Sequence, residues 1–480
     1  MARTKQIPKS SAPNRHYKVM LKEMKLKMIN DEEKVDRLGN LPESLVSNIL
    51  SRLPTKEAVQ TSLLSKDWEY KWSSIYDLDL NDRNYTTCSR STRKEKFANF
   101  VDRVLVHKGG EYSLRSVKIK CSSQYELTRI RSWISTALRR NVEKLEIDIW
   151  SASIVLPRNL YTCKSLKELR IFSQVTLRVP NETFFSKLKT IDFNHVILRN
   201  QESTNGELEL NFPCLESMIM YCCKWKKVTH VKMNAPIMTS FHATYANYQF
   251  RDKTEGQFVF EIFGPKLVDF QLNGELSENY VLLPNKPSPI QNATLKVFFS
   301  NEWLPRGNRT GTLLRQLNAV TFLELSGEAL IALTHGGEVG NQLPVFVNLT
   351  HLKLYSTYYY YTDGAAVIRL LHRTPVLRML TMNLHTLVGR DLLYDGSLNE
   401  AVPKCFNSDL KEVKFRFAID YLRREQDLGL MMYILKNAKE LQHMEIICPE
   451  FKTIPLPSPE IRNKLFSAPR ASKVAIITII

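Results

Sequence analysis

The sequence lacks most of the features that mark catalysis, metal binding or membrane insertion. Its eight cysteines (Cys88, Cys121, Cys163, Cys214, Cys222, Cys223, Cys405 and Cys448) include no Cys-x-x-Cys pair, and no histidine stands at zinc-ligand spacing from them. They read as buried thiols of a reducing compartment, so no metal site and no cofactor are expected. Neither a glycine-rich dinucleotide fingerprint, a phosphate loop, a nucleophile elbow nor a His-Glu-x-x-His helix occurs. The nearest approach, His335-Gly336-Gly337-Glu338-Val339-Gly340, lacks a strand-turn-helix context and reads as a surface loop. Histidine is limited to ten residues, in no pattern with serine or cysteine, so the chain is expected not to be an enzyme. No apolar block follows the basic N-terminus, and the apolar run Val474 to Ile480, broken only by Thr478, is far short of the roughly 20 residues of a membrane span. The expectation is a soluble, intracellular protein of the nucleus, the cytoplasm or both, in which the sequons at Asn292 and Asn348 carry no glycan.

Acidic residues are nearly missing from residues 1 to 30, where eight basic residues face only Glu23. That tail holds +7 of the net +18, leaving +11 over the other 450 residues. So mild an excess reads as a solvated surface and calls for no nucleic-acid channel. Within the tail, Ala2-Arg3-Thr4-Lys5-Gln6 resembles the start of a core histone tail stripped of its initiator Met. Histone-tail readers are the partners this start implies. A coincidental beginning to a disordered basic tail is the favoured reading.

What is present is apolar and periodic. With 480 residues, 43% of them hydrophobic, the chain can bury a large core in up to three domains, or fewer if one is a long repeat array. Leu45, Val46, Ile49, Leu50 and Leu53 form one stripe at helical spacing, opened by Pro42 and closed by Pro54. Thr55 is placed to cap a second helix bearing Ala58, Val59 and Leu63, and Ser65 a third with Trp68 and Trp72 one turn apart. Three short helices in so few residues cannot bury that much apolar surface alone, since units below about 40 residues need outside support. Either the rest of the chain or a partner must cover them.

Asp36-Arg37-Leu38, Leu41-Pro42-Glu43, Ile49-Leu50-Ser51, Leu53 through Val59, Thr61 through Lys66, Trp68 and Trp72 resemble the F-box of plant F-box proteins. One departure is Asp67, which stands where that family has a basic residue before the tryptophan. The resemblance implies docking to a Skp-type adaptor, and through it to cullin-RING machinery, by Leu41, Pro42, Leu45, Ile49, Leu50, Leu53, Pro54, Val59, Leu63, Trp68 and Trp72.

Beyond it, the pattern apolar-x-x-apolar-x-apolar recurs in eleven good copies, beginning at Leu114, Val142, Leu166, Leu188, Leu215, Leu267, Val320, Leu349, Leu377, Leu410 and Leu441. Weaker copies at Met238/Phe241/Ala243 and Leu295/Val297 fall in the larger gaps, bringing most separations to about 22 to 33 residues, close to the leucine-rich-repeat range. Each unit is a strand plus a return segment that buries its apolar side only by stacking on its neighbours. Residues 130–138, 367–371 and 430–434 carry helical spacing and are expected as helical returns. Val402 through Phe406, Leu410 through Val413 and Ile434 through Leu441, with Met444, resemble the FBD module of plant F-box proteins and read as strand, helix, strand.

The expected fold is therefore α/β: a three-helix F-box, then an irregular leucine-rich-repeat solenoid with a curved parallel sheet and outer helices, ending in an FBD-like module. The expected divisions are a basic tail at 1–33, the F-box at 34–80, a connecting helical segment at 81–110, repeats at 111–390 and FBD-like repeats at 391–480. Trp225 within Lys224-Trp225-Lys226-Lys227, and Tyr358, Tyr359 and Tyr360, are placed on the loop rim after their strands as target-binding candidates. The resemblance implies a substrate-recognition subunit of an SCF-type ubiquitin ligase. The alternative is a repeat scaffold whose F-box helices pack on its own repeats, with no part in ubiquitin transfer.

Overall fold

The computed structural model describes residues 41–85, 89–107, 113–149, 154–180, 183–200, 206–245, 258–275, 279–283, 290–298, 303–327, 329–330, 343–355, 362–384, 387–388, 402–417, 428–448 and 459–480. The basic tail, the glycine loop at 335–340 and the tyrosines at 358–361 lie outside the described residues. The chain forms two compact units, Met1–Asp77 and Leu78–Ile480.

In the first unit, α1 (Glu43–Leu50) and α2 (Thr55–Gln60) each follow a proline with φ near −50°. The ring fixes the entry angle, and the carbonyls of Pro42 and Pro54 accept the first helical N–H groups. Thr55 is the first residue of α2, not its cap. The expected third helix is replaced by tight 3-10 turns at Thr61–Leu63, Lys66–Trp68 and Lys71–Ser74. Local hydroxyls account for this. Thr61 and Ser62 donate back to the carbonyls of Ala58 and Val59 at 2.7 Å each, and Ser73 and Ser74 to those of Tyr70 and Lys71 at 2.7 and 2.8 Å, competing with a continued helical ladder.

The second unit is organised by a 15-stranded sheet. Its strands are Asp77–Asn81 (β1), Ser116–Cys121 (β2), Lys144–Ile149 (β3), Glu168–Phe172 (β4), Thr190–Asn194 (β5), Ser217–Tyr221 (β6), Ser240–Thr244 (β7) and Asp269–Glu275 (β8). Then come Asn292–Phe298 (β9), Phe322–Ser326 (β10), His351–Tyr355 (β11), Met379–Leu384 (β12), Glu412–Phe417 (β13), His443–Ile447 (β14) and Ile476–Ile479 (β15), hydrogen-bonded in sequence order. The thirteen copies of the apolar pattern, strong and weak together, occupy β2 through β14, so the two strands outside the expectation are the terminal ones. Parallel pairing without offset sets Leu145, Leu169, Ile191, Met218, Phe241, Phe270, Ala293, Leu323, Leu352, Leu380, Val413, Met444 and Ile477 in one inward column. Each of these side chains is buried.

The return segments differ from the expectation in the middle of the unit. Helical returns hold at both ends, in α3 (Arg90–His107), α4 (Leu127–Arg139), α5 (Trp303–Gln316), α6 (Gly364–Leu371), α7 (Cys405–Ser408), α8 (Gly429–Asn437) and α9 (Pro459–Ser467). Between residues 154 and 283 the returns are strands instead, in a four-stranded sheet (154–155, 175–179, 197–200, 224–226) and a five-stranded sheet (183–184, 207–211, 230–234, 259–263, 279–283). The cause is legible in Val175–Val179, Glu207–Asn211 and His230–Asn234, which alternate apolar and polar residues with a period of two. Gly274, at φ 110°, permits one close passage between repeats, because a Cβ there would stand 2.1 Å from the Tyr245 carbonyl oxygen.

Candidate functional site

The α1 stripe divides in two. Val46 and Leu50 are buried where α1 packs against the turn at Lys71–Ser74, and the Ser47 and Ser74 hydroxyls share a 2.5 Å hydrogen bond there. Leu45 and Ile49, one turn apart, are each 49% exposed. Beyond α2, Leu63 is 83% exposed and Tyr70 65%, with Leu64 exposed as well. Leu41, Leu53, Pro54 and Val59 are half-buried, and Pro42 is exposed. Trp68 and Trp72 are buried. Lys71 lies over the Trp68 ring at 4.8 Å, and Trp72 donates its indole N–H to the Glu69 carbonyl at 3.1 Å. Hydrogen bonding to Glu69 holds the Tyr70 hydroxyl above its ordinary 10.0, so it stays a neutral donor. Leu64 and Tyr70 were absent from the sequence-based set. They follow from the 3-10 turns, which turn outward two side chains that a continuous helix would have placed otherwise.

The open face of the main sheet carries a second constellation. One unbroken row runs Lys118, Glu146, Arg170, Asp192, Ile219, His242, Gln271, Thr294, Glu324, Lys353, Thr381, Lys414, Glu445 and Thr478. Toward both ends of this face charges pair across strands: Lys120 with Glu146 at 2.7 Å, Lys144 with Glu168 at 2.6 Å, Lys414 with Glu445 at 3.2 Å. The carboxylate of Glu324 lies between Lys296 at 3.1 Å and Lys353 at 3.0 Å. Burial lifts the Asp192 carboxyl above its ordinary 3.8, against the opposing pull of Arg170. The centre is different. There β6, β7 and β8 present Ile219 and Tyr221, both exposed, beside His242, Thr244, Gln271 and Asn273, with Asp269 tied to His242 at 3.1 Å. An exposed Ile and Tyr amid hydrogen-bonding side chains have the composition of an interface centre.

Trp225 is not on a loop rim. It sits in the strand Lys224–Lys226, stacked on Phe258 at 5.8 Å and edge-on to Phe260 at 5.6 Å, and is half-buried. Tyr358, Tyr359 and Tyr360 fall outside the described residues. Among the described residues no group of three or more His, Cys, Asp or Glu is arranged to hold a metal ion, and no helix is long and apolar enough to cross a membrane.

Residues 38–78 match the family model of the F-box domain, and the helices and turns above fill that span. The chain thus carries an F-box domain, followed by a second unit built as a repeating parallel sheet. Residues 399–446, which include β13, α8 and most of β14, match the FBD model, so the chain carries both domains. It is similar to the F-box/FBD/LRR-repeat protein At3g14710 of Arabidopsis thaliana, 26% identical over 92% of this chain and 94% of that protein. It is also similar to the FBD-associated F-box protein At4g10400 of the same plant, 27% identical over 85% of this chain and 91% of that protein. A solved TLR13-ssRNA13 complex is 13% identical over 70% of this chain and 55% of that chain, at a TM-score of 0.22.

Proposed function

We propose that this chain is the substrate-recognition subunit of an SCF-type E3 ubiquitin ligase. F-box domains in general bind Skp-type adaptors, and the observation that carries the reading here is the exposed apolar set Leu45, Ile49, Leu63 and Leu64 within the F-box unit. Burying a side chain of this size is worth about 1.5–3 kcal/mol relative to leaving it in water, which a docked adaptor would recover. A target protein held on the open sheet face, with Ile219 and Tyr221 as central anchors, would then lie near the cullin-RING machinery that the adaptor recruits. No bond is made or broken by this chain. Its contribution is proximity, which turns a bimolecular encounter into a local one at an effective concentration on the order of millimolar. Such a subunit works in the nucleus or cytoplasm, where its eight cysteines would stay reduced.

The test is co-purification of the full chain with a Skp-type adaptor, comparing wild type with the double variant Leu45→Asp/Ile49→Asp. Loss of the adaptor with an unchanged melting temperature is the expected result. Retention of the adaptor by the double variant removes the assignment.

A further inference from the structure

Among the described residues the last strand of the main sheet, β15, pairs only with β14. Ile476 and Ile480 donate their N–H groups to the carbonyls of Gln442 and Ile446, so the even-numbered residues face the sheet and the N–H and C=O groups of Ile477 and Ile479 point to the open side. The Arg470 guanidinium bonds the Ala475 carbonyl at 2.9 Å, so among the described residues the open edge comprises Ile477 and Ile479. Exposed edges are ordinarily blunted by lysine, proline or a bulge. Val474 through Ile480 contains no charge and no proline, while Ile476 and Ile480 are 56% and 65% exposed.

We propose that this edge pairs with the same edge of a second copy of the chain, antiparallel about a two-fold axis at Thr478. In that register Ile477 faces Ile479 of the second copy, and the reverse, as hydrogen-bonded pairs that satisfy all the outward N–H and C=O groups of both residues. Ile476 falls opposite Ile480 of the second copy on the same face, so the most exposed apolar groups cover each other. Thr478 meets its own counterpart in the close, non-hydrogen-bonded position. The pairing is isologous and brings no charged side chain into the seam, whereas elsewhere two chains of net +18 repel. It also closes after two chains, because the pairing uses up the β15 edge of each.

The test is sedimentation velocity of the full chain across about 1–100 µM, where a small strand-edge interface is populated. The wild type is expected to pass from monomer to dimer. Thr478→Lys sets two lysines directly opposite each other and is expected to weaken the dimer at least about tenfold with an unchanged melting temperature. Thr478→Cys brings two Cα atoms to about 4.5 Å across the axis and is expected to form a covalent dimer under mild oxidation. Ile476→Cys, which faces Ile480 of the second copy, and the unsubstituted chain are not. A monomer throughout the range, a dimer insensitive to Thr478→Lys, equal cross-linking by Ile476→Cys, or assemblies larger than a dimer would each overturn the proposal.

Discussion

The side-chain carbonyl of Gln316, at the end of α5, accepts the backbone N–H of Leu282 at 2.6 Å. Its amide group lies 3.4 Å from the Tyr280 carbonyl, so one glutamine occupies the donor and acceptor that a neighbouring strand would otherwise take on the edge 279–283. Gln316→Ala is expected to cost about 1–2 kcal/mol, because the Leu282 N–H then has no partner. Denaturant unfolding measures the loss, and hydrogen exchange should localise it to Leu282. Unchanged protection at Leu282 would contradict the role assigned to Gln316.

Asp82 is fully buried at the start of the second unit. Its carboxylate accepts the Ser122 N–H at 2.9 and 3.0 Å and the Tyr125 hydroxyl at 3.0 Å. Asp82→Ala strands both donors and is expected to destabilise by about 2–3 kcal/mol, with Asp82→Asn losing less because one acceptor oxygen remains. A melting series that ranks the asparagine variant below alanine would refute this network.

Within the F-box unit, buried and exposed side chains should separate cleanly. Trp72→Ala empties a buried site and is expected to cost about 3–5 kcal/mol. Leu63→Asp touches an 83% exposed side chain and should change stability by no more than about 0.5 kcal/mol while abolishing adaptor capture. Circular dichroism and adaptor pull-down of the two variants read the two effects apart.

Burial lifts the Cys405 thiol from its ordinary 9.0 to about 12, and burial raises Cys121, Tyr125 and Tyr161 as well. The unfolded chain therefore loses the Cys405 proton first as pH climbs. Stability is fully present below pH 9, falls between about 9 and 12, and is lost through that window. Denaturation midpoints at pH 8, 9, 10 and 11 should decline from the second value onward, and Cys405→Ala should flatten part of the slope. A midpoint that stays level to pH 11 would count against the buried state of these groups.

The repeat strands were legible because inward residues such as Leu169/Ile171 and Leu352/Leu354 must be apolar whatever the rest of the repeat does. Ile75/Leu78/Leu80 carries the same spacing and identifies β1, although it adjoins the F-box and was read as part of it. The strand returns were hidden for a different reason. Leu208/Leu210 and Val231/Met233 alternate over only five residues, too short a window for periodicity to be decisive without knowing that a neighbour lies alongside. At the candidate site, helical spacing identified Leu45 and Ile49 as a pair but could not say which half of the stripe faces solvent. The outward positions of Leu64 and Tyr70 depend on hydroxyl-to-carbonyl bonds that no hydrophobic pattern encodes.

Because each strand of the large sheet meets the next without slippage, removing or duplicating one whole repeat would keep the inward column of that sheet in phase. Lineages descended from such a chain can lengthen or shorten the sheet by unequal crossing-over between tandem coding segments, in steps of one coil.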